Sequence, residues 1–174
     1  MAKKVAFSGI ALALALVTGE FIPTIPMPFG GSITLFSMLF ISLIGYFYGI
    51  GYGLSCGLAF GLLQFILDPK GYTLLQILLD YPIAFMALGL SGFFRAQKYG
   101  LQIGYLLGVI GRFLVSTLSG VLFFAEYAPE GTPALLYSAG YQAAYLGPEL
   151  IITLAILFIP AVSKGIDKIS SQAR

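Results

Sequence analysis

The sequence predicts an all-α membrane protein, a six-transmembrane-helix bundle with both termini in the cytoplasm (N-in/C-in). Three observations lead there. Hydrophobic residues make up 59% of the 174 residues and charged ones only 9%, with a mean hydropathy of +0.96, and a soluble domain of this length needs a far more charged surface. The apolar residues fall into six long runs separated by short polar or Pro/Gly-rich breaks. The basic residues gather on one side of those runs.

A helix needs about 20 apolar residues to cross the hydrocarbon core. The first run, Val5 to Phe21, follows Lys3 and Lys4. A signal peptide is the alternative, but no small-x-small cleavage site precedes a soluble domain, so it reads as a mature helix. It carries small residues four apart, Gly9 with Ala13 and Ala11 with Ala15. Such stripes let helix backbones approach closely in a bilayer, within the bundle or against another subunit. Residues 22–32 hold three prolines and the Gly30-Gly31 pair, a stiff connector with one sharp turn. They form either a lid over the outer mouth or a plain connection. The second span is Ile33 to Ile50 and the third Tyr52 to Leu67. The third is short and holds Gly53, Gly57 and Gly61, which suits close packing. The fourth is Tyr72 to Phe94, the fifth Leu101 to Phe124 and the sixth Leu136 to Val162. Together they make one integral membrane domain over residues 1–174. Transmembrane strands would alternate with period two over about 10 residues, and these runs are longer and unbroken.

Threaded from a cytoplasmic N-terminus, the inner segments hold Lys3, Lys4, Arg95, Lys98, Lys164, Lys168 and Arg174, whereas the outer loops hold only Lys70. The net charge of +2 therefore reflects topology and does not point to nucleic acid. The single Cys56 forms no internal disulfide, and the chain has no His. No metal or cofactor is expected.

Glu20, Asp80, Arg112 and Glu149 lie inside or at the edge of spans, where an isolated charge costs at least about 2.5–3.5 kcal/mol. Arg112 and Glu149 fall at midplane depth and suit a structural ion pair, and Pro148 suggests a broken or kinked helix beside Glu149. Asp80 is shallower. Ser116, Tyr141 and Gln142 come out level with it, and Tyr137 nearer the rim. A carboxylate, an amide, a hydroxyl and phenols open to the outside describe a pocket for a small polar ligand of cationic character. The competing reading is an internal network in which Asp80 satisfies Gln142 and the tyrosines. Phe29, Phe123, Phe124 and Tyr127 sit at the outer ends, where they can stack on a planar or cationic ligand.

Four stretches, PFGGSITLFSM, LLQILLDYPIAFMALGLSGFF, RFLVSTLSGVLFFAEYAPEG and YSAGYQAAYLGPELIIT, resemble the thiamine-specific substrate-binding subunit (S component) of energy-coupling-factor transporters, in order and over most of the chain. The resemblance implies six helices and a vitamin site near the outer face of a prokaryotic cell membrane. It also implies partners: a membrane scaffold subunit and two cytoplasmic ATPases. It assigns Asp80-Tyr81, Gly120 and Tyr137 to the vitamin site and Ala11 with Ala15 to the scaffold-docking surface. The chain departs from the family in Ser116, where a His is usual, and in Gln142, where an Asn is usual. Phe124 stands for a pocket Trp and Phe29 for a polar loop residue. A site that loses hydrogen-bond partners penalises the original ligand strongly.

The function expected is binding of thiamine or a closely related cationic or aminopyrimidine vitamin for ATP-driven uptake, without enzymatic activity. Asp80, Tyr81, Ser116, Gly120, Phe124, Tyr137, Tyr141, Gln142 and Phe29 form the candidate site. No Walker motif is present, so ATP hydrolysis falls to partners. The alternatives are an S component for a pyridoxine-type vitamin or a thiamine precursor, and a stand-alone proton-coupled carrier. An intramembrane enzyme lacks a nucleophile–base pair here.

Overall fold

The computed structural model describes residues 2–21, 25–26, 32–71 and 73–173, with Phe21 described by its backbone alone. Helix α1, Ala2–Leu16, ends in a π-helical turn, Val17–Phe21. A two-residue antiparallel bridge follows, β1 (Ile25–Pro26) on β2 (Ser32–Ile33), which apolar patterning does not announce. Then come α2 (Ser37–Tyr48), α3 (Ile50–Leu67), α4 (Leu74–Phe94), α5 (Gly100–Phe123), α6 (Ala134–Leu157) and α7 (Pro160–Ala173).

Among the described residues four helices are long and apolar enough to cross a bilayer: α1 with its π turn, α3, α4 and α5. The pair α6 and α7 passes the same test as a bent fifth. Helix α2 has 12 residues, about 18 Å at 1.5 Å per residue, well short of a core of about 30 Å. The six predicted runs thus appear as helices, but they are unequal in length.

The sixth run is the clearest correction. The sequence predicts a helix broken or kinked at Pro148 and running on to Val162. Instead α6 passes Pro148 without interruption and ends at Leu157, and α7 leaves at 85°. The residue before a proline disfavours helical backbone, and proline suits the first position of a new helix. Pro160 therefore sets the corner.

Gly53, Gly57 and Gly61 explain how α3 seats on α4. A Cβ at Gly57 would lie 2.5 Å from the Phe85 carbonyl oxygen, and one at Gly61 2.5 Å from that of Tyr81. Apolar lipid gives helices little hydrophobic reason to associate, so backbone contact of this kind supplies the packing. The core between the helices holds Met38, Ile41, Phe60, Leu88 and Tyr105, all fully buried. The opposite face of α5 carries Ile103, Leu106, Ile110, Leu114, Leu118 and Leu122, each 38–61% exposed. In water that ridge is an aggregation surface, whereas in a bilayer it meets acyl chains.

The small-residue stripes of α1 divide. Ala15 is fully buried in the chain's own core and Ala11 packs toward Ile44, Phe47 and Tyr48. The expected docking surface at Ala11 and Ala15 is therefore turned inward, at Ala15 completely. Small side chains there serve contact with α2. Gly9 and Ala13 are the exposed pair.

Candidate substrate-binding site

One cavity of about 230 Å³ opens at the end of the bundle where α5 finishes and α6 begins. Asp80, Tyr81, Ser116, Gly120, Phe124, Tyr137, Tyr141 and Gln142 all line it. These are eight of the nine residues expected in the site. Phe29, and most of the 22–32 loop, lies outside the described residues. Phe123 is not among the lining residues, whereas Tyr127 is, with its ring 6.0 Å from that of Phe124.

Asp80 owes its place to Pro82. Proline lacks the N–H that would continue the helix, and α4 widens into a π turn over Leu79–Ile83. That turn carries Asp80 and Tyr81 toward the cavity. The Asp80 carboxylate is partly buried, with the side chains of Ser119 and Gln76 beside it. Gln76 belongs to the start of α4, where its backbone N–H donates to the Thr73 hydroxyl at 3.2 Å, a Thr-x-x-Gln capping pattern.

Tyr81 does more than form a wall. Its hydroxyl donates to the Asp68 carbonyl at 2.8 Å and accepts from the Lys70 N–H at 3.1 Å. Its ring meets Phe65 edge-on, 5.3 Å between centroids. Lys70 in turn pairs with Asp68 at 2.6 Å, both side chains about half exposed. Tyr81 thereby fastens the 68–70 loop at the mouth.

The anticipated ion pair between Arg112 and Glu149 is not formed. The ion pair found among the described residues is Lys70 with Asp68. Glu149, 2% exposed, accepts from the Thr34 hydroxyl at 2.5 Å and the Met38 N–H at 2.9 Å, with the Ser37 hydroxyl at 3.5 Å. Helix α2 has no acidic residue in its first turn and no side-chain cap, so α6 supplies the carboxylate that its amino end attracts. The Arg112 guanidinium lies 4.0 Å from the centre of the Phe85 ring, a cation–π contact. Both residues still line the cavity.

Gln142 is buried. Its Nε2 donates to the Ser116 carbonyl at 3.2 Å, and its Oε1 has no partner among the described residues. That oxygen is sealed from solvent, so the amide braces α6 against α5. Gly120 lines the cavity and also serves the packing of the helices. A Cβ there would meet the Ser138 side chain at 2.8–2.9 Å, so the glycine lets α6 close on α5.

Sequence reasoning missed Thr34, Ser37, Gln64, Gln76 and Ser138, all of which line the cavity. The Thr-x-x-Gln pattern was a usable signal for Gln76. Thr34 and Ser37 stood at a helix start without an acid of its own. Gln64 and Ser138 gave no local signal. The wall carries the carboxylates Glu20, Asp68, Asp80 and Glu149 against the cations Lys70 and Arg112, an excess of negative charge suited to a positively charged or amino-bearing ligand.

Residues 5–166 match the family model described as thiamine transporter protein (Thia_YuaJ). The chain is 34% identical over 168 residues to the thiamine transporter ThiT of Bacillus subtilis (strain 168), covering 87% of this chain and 85% of that one. It is 29% identical over 104 residues to the thiamine transporter ThiT of Lacticaseibacillus paracasei (strain ATCC 334), about half of each chain (50% and 51%). A solved structure of ThiT from Listeria monocytogenes superposes with a TM-score of 0.67 at 22% identity, covering 95% of both chains, which supports the same fold. The relatives are named for transport and not for catalysis. On the extent of these matches, the chain belongs to the thiamine transporter family, Thia_YuaJ.

Proposed function

We propose that this chain is the substrate-binding membrane subunit of an energy-coupling-factor transporter, taking thiamine or a closely related cationic or aminopyrimidine vitamin into the cavity at Asp80 from outside the cell. The observation that carries the reading is the gathering of Asp80, Tyr81, Ser116, Gly120, Phe124, Tyr137, Tyr141 and Gln142 on one cavity wall in a chain of this family. Asp80 faces the positive or amino-bearing part of the ligand, and Gln142 forms part of the wall beside Ser116. Phe124 and the tyrosines supply apolar faces. In this reading six helical segments thread the membrane with both termini inside. The distribution of Lys3, Lys4, Arg95, Lys98, Lys164 and Lys168 against Lys70 supports that orientation. A scaffold subunit and two ATPases complete the transporter.

A second reading has a specific basis. Ser116 and Gln142 stand where the family usually has His and Asn, and the Gln142 amide is half committed to the Ser116 carbonyl. That change suits a different vitamin, a thiamine precursor or a pyridoxine-type molecule. Titration of the purified protein with thiamine, its pyrimidine half and pyridoxine decides between them. Uptake that needs co-expressed scaffold and ATPase subunits supports the transporter reading. Uptake without them, abolished by a protonophore, would establish a stand-alone carrier instead.

A further inference from the structure

A second cavity lies at the far end of the α5–α6 pair, between the loop that precedes α5 and the corner joining α6 to α7, with a volume of about 480 Å³. Leu157 is eight residues beyond Glu149, which puts this cavity about 12 Å further along α6 and outside the site described above. Helix α5 has 24 residues, about 36 Å, so its first turn lies at the boundary of a core of about 30 Å. In the membrane orientation proposed above, on which this inference rests, a cavity there faces the headgroup layer of the bilayer.

The lining has the chemistry of that layer. Lys98 and Asp167 contribute one charge of each sign, Tyr46 and Ser163 contribute hydroxyls, and Tyr99 and Phe158 contribute rings. Tyr99 and Phe158 are 53% and 59% exposed, with ring centres 6.1 Å apart. They form an apolar lip of the kind aromatic side chains make at membrane interfaces. The surroundings are firmly built. Tyr99 holds a left-handed backbone at φ 61°, a strained conformation for a residue with a side chain. Gln102 Nε2 donates to the Leu157 carbonyl at the corner, at 2.9 Å. Tyr46 donates to the Asp167 carboxylate at 3.0 Å, which fixes α7 and leaves the other carboxylate oxygen for a ligand.

We infer that this cavity is a binding site for an amino-bearing zwitterionic phospholipid of the ethanolamine type. The phosphate lies toward Lys98, the ammonium toward Asp167, and an acyl chain lies along the outer face of the paired Tyr99 and Phe158 rings. The balanced charge selects this headgroup. An anionic headgroup brings its charge against Asp167. A choline headgroup replaces the N–H donors that a carboxylate accepts with methyl groups.

Native mass spectrometry on the full-length, detergent-solubilised chain tests the site, titrating phosphatidylethanolamine, phosphatidylglycerol and phosphatidylcholine of the same acyl composition. The expected result is one preferred ethanolamine lipid per protein, with the bound fraction falling roughly fivefold in both Lys98→Ala and Asp167→Asn, as for loss of one exposed charge contact. Thiamine titration of the same variants should be unchanged, which separates this site from the vitamin cavity. Asp167→Glu keeps the charge and should retain the lipid, guarding against a packing effect of the Asn variant. Equal retention of the three lipids, a preference for phosphatidylglycerol, or indifference to Lys98→Ala overturns the inference.

Discussion

Replacing Asp80 by Asn isolates the charge on which recognition depends. The two side chains have nearly the same shape, and Ser119 and Gln76, the side chains beside the carboxylate, are neutral and can each act as donor or acceptor. The fold should therefore survive. What disappears is a hydrogen bond from a cationic or amino-bearing ligand to an ionised acceptor. Such bonds contribute about 1.5–3 kcal/mol, which corresponds to a loss of roughly ten- to 150-fold in affinity. The upper half of that range is favoured because the cavity walls around Asp80 exclude much of the screening that a surface carboxylate has. Equilibrium binding of thiamine to the purified variant, by calorimetry or by dialysis with labelled vitamin, measures the change. A control ligand whose exocyclic amine is replaced by a carbonyl oxygen should lose less between parent and variant. Affinity within twofold of the parent, in a variant that elutes and melts normally, would remove Asp80 from the site and with it the electrostatic argument.

Other expectations follow from the same contacts. Glu149→Leu removes the acceptor of the Thr34 hydroxyl, which keeps only its contact with Ser37, and leaves the Met38 N–H unpaired at the start of α2, and should destabilise by on the order of 2–4 kcal/mol. Thermal melting should show a clear drop, smaller in Glu149→Gln, and an unchanged midpoint would contradict the cap. Gly57→Val places a side chain against the Phe85 carbonyl, where even a Cβ would lie at 2.5 Å. Fluorescence-detected size exclusion should find little monodisperse protein. Tyr81→Phe unties the 68–70 loop and should speed vitamin release roughly three- to tenfold, read by a competition chase. Ser116→His with Gln142→Asn installs the pair that the resemblance implies for the family. Thiamine affinity should rise roughly tenfold, and a fall would favour a different native vitamin.

The helices and the site were legible for different reasons. Apolar runs fix where helices lie because lipid tolerates no other backbone arrangement on its surface, and intramembrane charges draw attention because they are costly. Depth counted along the helices then placed Asp80, Ser116, Tyr141 and Gln142 on one level, and they share a cavity. Counting along an axis does not give rotation about it. Ala15 therefore turned out to face the core, and Glu149 reaches α2 and not Arg112. The corner at Pro160 was hidden because Ala161 and Val162 carry the apolar run past it. The π turn at Asp80 was foreshadowed only by the Pro82 that follows it two residues on.

The cavity's acids are not equivalent, and their differences explain why one of them dominates recognition. Asp68 is about half exposed and already paired with Lys70. Glu20 is exposed, so water and salt screen it, and it steers more than it holds. Glu149 is sunk against the amino end of α2, with N–H and hydroxyl donors on it, and the Arg112 charge lies in the same wall. Among the described residues Asp80 has neither a paired cation nor a helix amino end, and its side-chain neighbours Ser119 and Gln76 are neutral. Neutral neighbours orient a carboxylate without cancelling it. Such a group gains most when a cation arrives, because no existing ion pair has to be broken first. Specificity for a positively charged nutrient then follows from leaving this one acid uncompensated. Introducing a lysine beside it, by Gln76→Lys at a side chain of similar length, should abolish vitamin binding by giving Asp80 an internal partner, in a protein that still elutes as a monomer. Retained binding in that variant would show that the ligand's charge is met elsewhere on the wall.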